Sequence, residues 1–200
     1  MLNNEIPFKF KGKRNYIHGP DLFNETVKVF GLESVSHINL AFHELVTADV
    51  GTIHISENLS EIKSLSLPQV SGCLMKDQTK YWLAYTFSDK TSSESLRVEY
   101  DESLVTDSCQ IINDEVVFNA LSPYSFMETI VAMKKFLLEN RYPDAQGKAI
   151  ISKVAFSKIP MNYKKIQISI IQNLYNKLVR SKVTVDDVDL GELFFSYKVE

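Results

Sequence analysis

Cysteine and glycine are scarce in this 200-residue chain, which holds two cysteines and seven glycines. Cys73 and Cys109 lie far apart, with no further cysteine at metal-ligand spacing, so the sequence favours a reduced, intracellular setting. The few glycines form no phosphate-cradling loop, and the chain contains no Gly-x-Ser-x-Gly pattern. These absences argue against nucleotide-dependent and serine-hydrolase chemistry.

Long apolar runs and a large excess of one charge are also absent. No run reaches the ~18 apolar residues of a membrane span, and residues 1–10 hold no apolar core of the signal-peptide kind. The formal net charge is −3, and the one short basic run, FKFKGKR at 8–14, is typical of a solvated strand face. We therefore expect a soluble, cytoplasmic protein that binds no nucleic acid and does not span a membrane.

Material for a packed core is plentiful, since 44% of the residues are hydrophobic and 11% are aromatic. The length suits one large domain or two small ones packed closely together. The four histidines have no close carboxylate or cysteine partners in the sequence, so no metal site is expected. One of them, His54, alternates with Ile53 and Ile55 and is expected to face solvent.

Four segments of the first half match four segments of the second half in the same order, which predicts an internal duplication. The offset between matched residues jumps once, and an insertion at 134–144 that lengthens the second helix by a few turns explains the jump. The matches are GPDLFNETV (19–27) with SPYSFMETI (122–130), LAFHEL (40–45) with VAFSKI (154–159), TIHIS (52–56) with KIQIS (165–169), and YWLAYTF (81–87) with LFFSYKV (193–199).

Each half is expected to contain one helix led by a proline. Pro20 and Pro123 suit the first helical position, with Gly19 and Ser122 as caps. Apolar residues at helical spacing then mark a buried stripe on each helix, and the second helix is apolar over most of its circumference. The stripe residues are Phe23, Val27 and Phe30 in the first half and Phe126, Ile130, Met133 and Leu137 in the second.

Stretches with strand character surround each predicted helix, one before it and three or four after it. Their short connections favour antiparallel pairing, and the polar stretch SDKTSSES at 88–95 is the natural linker between halves. The sequence thus predicts an α+β chain of two units, 1–90 and 95–200. We expect the units to pack together, because one curled sheet buries its helix incompletely.

This order of elements resembles the double hot-dog fold, in which two tandem hot-dog repeats each wrap an antiparallel sheet around a long central helix. The resemblance covers nearly the whole chain and rests on element order, the duplication and the proline-led helices rather than on a signature motif. A pair of cystatin-like or ferredoxin-like units is the alternative. The resemblance implies no cofactor beyond the phosphopantetheine of coenzyme A or acyl carrier protein, which would carry an acyl substrate. It also implies a monomer or homodimer of one pseudo-dimeric chain.

Hot-dog proteins include dehydratases, hydratases and thioesterases, and the resemblance implies a site at a helix start. There the N-terminal amides and the positive end of the helix dipole can polarise a thioester carbonyl. His18 lies at the start of the first predicted helix, beside Gly19, which lets a ligand approach the backbone closely. We expect His18 to be a general acid or base, and Gly19, Asp21 and Ser122 to contact substrate.

Glu25 and Glu128 occupy matching positions on the two predicted helices. Glu25 points away from the apolar stripe, where an exposed pair with Lys28 would explain it. Glu128 falls on an otherwise apolar surface, where a carboxylate is costly unless it is paired or acts as an acid or base. The resemblance to hot-dog dehydratases implies a catalytic pair of His18 and Glu128 from opposite units, with Glu25 as a further candidate.

The sequence also departs from these enzymes. The aromatic residue and proline that follow the dehydratase histidine are missing, and so is the aspartate-centred pattern of the common thioesterases. Three functions therefore stay open. A 3-hydroxyacyl dehydratase-like enzyme comes first, a non-catalytic acyl-binding protein or partner subunit second, and a thioesterase third.

Overall fold

The computed structural model describes residues 1–88, 97–175 and 177–198. The chain divides into two compact units, Met1–Asp101 and Glu102–Glu200. The predicted linker at 88–95 lies, apart from Ser88, outside the described residues. Each unit combines antiparallel strands with one main helix, which confirms the predicted α+β class and the antiparallel pairing.

The first unit is a five-stranded antiparallel sheet in the order β1-β4-β6-β5-β3, with a short parallel pair formed by β2 and β7. Its main helix is α1 (Gly19–Phe30), followed by a 3-10 turn at Leu32–Ser34, and a shorter helix is α2 (Leu59–Lys63). The strands are β1 (Leu2–Pro7), β2 (Phe10–Lys11), β3 (Val35–Phe42), β4 (Val50–Ser56), β5 (Val70–Lys76), β6 (Thr79–Phe87) and β7 (Arg97–Val98).

The second unit is an antiparallel sheet in the order β10-β13-β12-β11-β9-β8. A short helix, α3 (Ser103–Thr106), precedes the main helix, α4 (Phe126–Arg141). The strands are β8 (Cys109–Ile112), β9 (Glu115–Phe118), β10 (Lys148–Lys158), β11 (Ile166–Leu174), β12 (Leu178–Val185) and β13 (Val188–Lys198).

The predicted apolar stripes form the helix side of each core. Phe23 is 2% exposed on α1, and Ile130 and Met133 are fully buried on α4. Burying one such side chain stabilises a fold by roughly 1.5–3 kcal/mol. Eleven of the 16 residues of α4 are buried, compared with six of the 12 residues of α1. This confirms that the second helix is enclosed on more sides.

The starts of the two helices differ from the prediction. α4 begins at Phe126 rather than Pro123, because Ser125 is the N-cap residue and forms a capping box with Glu128. Ser122 therefore lies in the preceding loop and does not cap the helix. In α1 the N-cap residue is His18, and Pro20 occupies the second helical position.

The helices are of ordinary length, so the expectation of long central helices is not confirmed. α1 has 12 residues and α4 has 16. Residues 134–141 of the predicted insertion at 134–144 lie within α4, about two turns, and residues 142–144 follow it. The net difference in length is only four residues because α4 begins later than predicted.

The two sheets differ in the place of their last strand. In the first unit β6 lies between β4 and β5, whereas in the second unit β13 lies between β12 and β10. The connection after β4 runs from 57 to 69 through α2 and is long enough to cross a neighbouring strand, while only residues 175–177 join β11 to β12. The predicted match of 81–87 with 193–199 therefore joins strands with different neighbours, and the internal duplication is not confirmed.

The packing of β5 against β3 in the first unit predicts a steric limit at Gly72. A Cβ atom there would lie 2.0 Å from the Asn39 carbonyl oxygen and 2.8 Å from a Leu40 methyl carbon. Since the first contact is with backbone, the Gly72→Ala variant should lose about 1–3 kcal/mol of unfolding free energy, measured by urea denaturation. Cys73→Ala, one residue along β5, removes an atom without crowding β3 and should lose less. Equal stability of the two variants would contradict this view of the strand pair.

Candidate functional site

The start of α1 carries the first group of predicted site residues. His18 has an extended backbone, with φ −70° and ψ 126°, and its carbonyl accepts the Asp21 N–H at 2.8 Å. The side chain of His18 lies in the interior, with 3% of the residue exposed. Gly19 is the first helical residue and Pro20, which has no N–H, is the second. The α1 start therefore places a titratable ring directly beside a helix N-terminus.

The parallel pair of β2 and β7 brings the end of the first unit back to the α1 start. The Arg97 guanidinium donates hydrogen bonds to the carbonyls of Gly12 at 3.0 Å and Arg14 at 2.8 Å. The Gly12 N–H in turn donates to the Val98 carbonyl at 2.9 Å. These contacts hold the segment before Tyr100, Arg97–Val98, against the loop that precedes α1.

Tyr100 covers His18 and faces two cations. Its ring centroid lies 5.1 Å from that of His18, with the planes inclined at 60°. The Arg14 guanidinium carbon lies 4.9 Å from the Tyr100 centroid, and the Lys11 ammonium lies 5.5 Å from it. Both distances are in the range of cation–π attraction. No sequence signal indicated this contact, because Tyr100 is far from His18 along the chain.

An ion pair between Lys11 and Asp21 lies at the same helix start, with side chains 13% and 17% exposed. Asp21 is in the first turn of α1, where the positive end of the helix dipole stabilises a carboxylate. The residue expected to contact substrate therefore acts as an internal counter-ion. A ligand that reaches this helix start meets a site that already holds a carboxylate and an ammonium.

Glu25, the further catalytic candidate, lies on the outer side of α1. Its carboxylate pairs with Lys28 at 3.1 Å, and the Lys28 side chain is 75% exposed. Exposed pairs of this kind contribute little to stability. The surface pair that the sequence offered as the simple explanation of Glu25 is present.

Glu128, the other catalytic candidate, is 8% exposed at the start of α4. Its Oε2 accepts the Ser125 N–H at 3.0 Å, and the Ser125 hydroxyl oxygen accepts the Glu128 N–H at 3.3 Å. Charge-assisted bonding of this kind compensates a carboxylate for the loss of water. Ser122 lies just upstream, where its hydroxyl oxygen accepts the Tyr124 N–H at 3.1 Å and lies 2.6 Å from the Thr129 hydroxyl.

The predicted site residues thus form two groups. His18, Gly19 and Asp21 lie together at the start of α1 in the first unit. Ser122 and Glu128 lie together at the start of α4 in the second. The pairing of His18 with Glu128 stays a prediction.

Lys134 is a polar residue of the second unit that the sequence analysis missed. It lies in the middle of α4, is 0% exposed, and its ammonium nitrogen donates to the hydroxyl of Ser181 on β12. Burial lowers the pKa of Lys134 to about 7, against a smaller opposing effect of Asp114. The signal was present in the sequence, since Lys134 follows Ile130 by four residues and so falls on the buried stripe.

The remaining histidines have local partners. His54 is half-buried rather than facing solvent. Its ring nitrogens lie 2.9 Å from Asn3 Oδ1 and 2.8 Å from Thr86 Oγ1, within hydrogen-bond distance of both. Burial lowers the pKa of His54. Within residues 1–88, 97–175 and 177–198, no three His, Cys, Asp or Glu side chains are grouped as metal ligands would be.

An open cavity of about 490 Å³ lies in the first unit at the other end of α1. Phe30 and Tyr81, whose ring centroids are 5.4 Å apart, line it together with Ile55, and Glu57 and Lys76 add charge. Volumes of 300–1,000 Å³ are typical of small-molecule sites. Because α1 is ~18 Å long, this cavity is separate from the His18 end of the helix.

No protein-family model and no curated protein sequence matches this chain. Solved structures do, three of them at 6–8% identity. A protein described as thioesterase II from Thermobifida fusca aligns with 98% of this chain and 92% of its own, with a TM-score of 0.53 and 8% identity. The bifunctional dehydratase-cyclase domain of ambruticin biosynthesis aligns with 92% of this chain and 83% of its own, with a TM-score of 0.53 and 6% identity.

A third solved structure is the dehydratase domain of PpsC from Mycobacterium tuberculosis in complex with C12:1-CoA. It aligns with 98% of this chain and 93% of its own, with a TM-score of 0.51 and 8% identity. All three are hot-dog proteins. The chain has a hot-dog fold. At such identities the likeness shows the fold alone. No helix in the part of the chain that the structure describes is long and apolar enough to span a membrane.

The capping box at α4 predicts how substitutions of Glu128 affect stability. Glu128→Gln keeps an oxygen that can accept the Ser125 N–H, whereas Glu128→Ala removes the acceptor. We expect Glu128→Ala to lose about 1–2 kcal/mol of unfolding free energy in urea denaturation, and Glu128→Gln to lose less than half of that. Glu25→Ala, which removes the partly exposed carboxylate of the Glu25–Lys28 pair, is the control and should change the free energy of unfolding by less than about 0.5 kcal/mol. An equal loss in both Glu128 variants would show that the charge, rather than the cap, matters.

Proposed function

We propose that this chain is a hot-dog protein that processes acyl thioesters through two tandem hot-dog units, with a 3-hydroxyacyl dehydratase-like activity as the first candidate. The observation that carries the proposal is the position of His18 as the N-cap residue of α1. An imidazole and a helix N-terminus at one point can together move a proton and stabilise an oxyanion. The hot-dog fold supports this, since the similar structures include dehydratase domains, one of them bound to C12:1-CoA.

In the proposed dehydration the α1 start would bind the thioester carbonyl oxygen. Gly19 supplies an N–H for this oxygen, since Pro20 has none and the Asp21 N–H is bonded to the His18 carbonyl. His18 would take the proton from the carbon next to the carbonyl. The hydroxyl group on the following carbon would leave as water after gaining a proton from an acid, for which the protonated form of Glu128, with Oε2 still accepting the Ser125 N–H, is the proposed residue.

A non-catalytic acyl-binding protein or partner subunit is the second candidate, and two observations favour it. His18 is 3% exposed beneath Tyr100, so the α1 start is closed to a substrate in this conformation. The open cavity near Phe30 and Tyr81, by contrast, offers apolar walls at the far end of the helix. A short acyl chain could bind there without meeting His18.

The experiment that tests the proposal is mass spectrometry of the protein incubated with 3-hydroxyacyl and saturated acyl-coenzyme A thioesters. We expect loss of water from one class of 3-hydroxyacyl thioester. Because proton transfer by a positioned side chain contributes 10²–10⁴-fold, His18→Ala and His18→Gln should each lower this rate at least 10²-fold, and Glu128→Gln should lower it as well. His43→Gln is the matched control, since His43 is exposed and bonded to Ser71 at 2.8 Å.

Each other outcome assigns the protein differently. Release of free thiol without loss of water would indicate a thioesterase. Binding of an acyl thioester without any product would support the second candidate. Turnover unaffected by both His18 variants would overturn the proposed role of the α1 start.

A further inference from the structure

Lys134 and its neighbour Lys135 differ sharply in their surroundings. Lys135 is partly exposed and pairs with Glu102 at 2.9 Å. Lys134 is 0% exposed, and its contact is the hydroxyl of Ser181, itself 0% exposed on β12. Among the described residues no carboxylate forms an ion pair with Lys134.

The charged groups on elements packed against α4 are engaged elsewhere or lie on the opposite face of the sheet. Asp114, whose charge acts on Lys134, is itself paired with Arg141 at 2.8 Å. Other charged side chains near α4 also have partners of their own, namely Glu102 with Lys135, Glu115 with Gln167 and Ser169, and Lys153 over the Phe194 ring. On β12, Arg180 pairs with Glu192 and Lys182 pairs with Asp189, one on each side of Ser181 in the sequence.

A buried ammonium without a counter-ion is strongly unfavourable, and a lysine relieves this cost by losing its proton. The neutral amine can still share a hydrogen bond with Ser181, and its four methylene groups pack among apolar neighbours. Val179 and Val183, which flank Ser181 on the same face of β12, are both 0% exposed. The surroundings of Lys134 therefore suit the neutral form and disfavour the charged one.

We propose that the Lys134–Ser181 contact is an acid-sensitive switch inside the second unit. In its neutral form the amine holds α4 against the sheet, and uptake of a proton weakens this packing. The inference concerns stability and does not depend on the proposed function.

The sign of the effect follows from the direction of the pKa shift. The folded-state pKa of Lys134, about 7, is below the value of ~10.4 for an unfolded lysine. Between these values the unfolded chain binds one proton more than the folded chain, so the folded state loses stability as the pH falls from 10 towards 7. Below about 7 both states are protonated and the loss is complete. One proton corresponds to a tenfold change in the unfolding equilibrium constant per pH unit at most.

The test compares urea denaturation of the full chain between pH 7 and pH 10 for the natural protein, Lys134→Met and Lys135→Met. Methionine keeps the length of the side chain without the amine. We expect the unfolding equilibrium constant of the natural protein to rise by up to tenfold per unit of falling pH relative to that of Lys134→Met. Lys135→Met should keep the pH dependence of the natural protein, because it retains Lys134. The titrating groups other than Lys134 and Lys135 are the same in the natural protein and both variants, so their effects cancel in the comparison.

A direct measurement keeps the proposal testable if Lys134→Met does not fold. Lysine labelled with ¹³C at Cε reports each amine by NMR, and one resonance of the natural protein should titrate near pH 7. A Lys134→Met variant with the same pH dependence as the natural protein would overturn the switch. So would an NMR titration in which every lysine titrates above pH 9.

Discussion

Both units depend on one physical constraint: the first N–H groups of a helix that is buried against a sheet need hydrogen-bond acceptors. The first backbone N–H groups of such a helix have no partner within the helix and little water to bind, so the surrounding residues must supply acceptors. At α4 this is achieved by Ser125 and Glu128, each of which accepts the N–H of the other. At α1 the His18 carbonyl accepts the Asp21 N–H, and a carboxylate in the first turn faces Lys11.

These two solutions leave different chemistry behind. The capping box at α4 is complete in itself and places its carboxylate where the helix needs it. The start of α1 instead gathers an imidazole, an ion pair and the ring of Tyr100, all partly or fully out of water. Electrostatic effects are stronger in such surroundings. Of the two helix starts, the α1 start therefore holds more groups that can respond to a bound ligand.

The sequence predicted those features that follow from periodicity and missed those that depend on distant contacts. The stripe of Phe23 and Val27 was predictable because helical spacing and burial coincide. The place of the last strand of each sheet, β6 in the first unit and β13 in the second, was not predictable. Both arrangements satisfy the same alternation of apolar residues and the same antiparallel pairing. The start of α4 was readable from the spacing of Ser125 and Glu128, but Pro123 drew the prediction upstream. The cover over His18 was invisible, because Tyr100 is distant in sequence.

The polar contacts in the two interiors set the units apart. In the first unit Thr26 on α1 lies 3.0 Å from the Tyr85 hydroxyl on β6, and burial raises the pKa of Tyr85, so this contact stays neutral throughout the physiological range. In the second unit the corresponding polar link between main helix and sheet joins Lys134 to Ser181 and contains an amine that can titrate. Both links satisfy polar groups in an apolar core, but only the second changes its charge near neutral pH. Sensitivity to acid therefore belongs to the unit whose helix start is capped by Glu128, and the unit that holds His18 keeps its core contact unchanged.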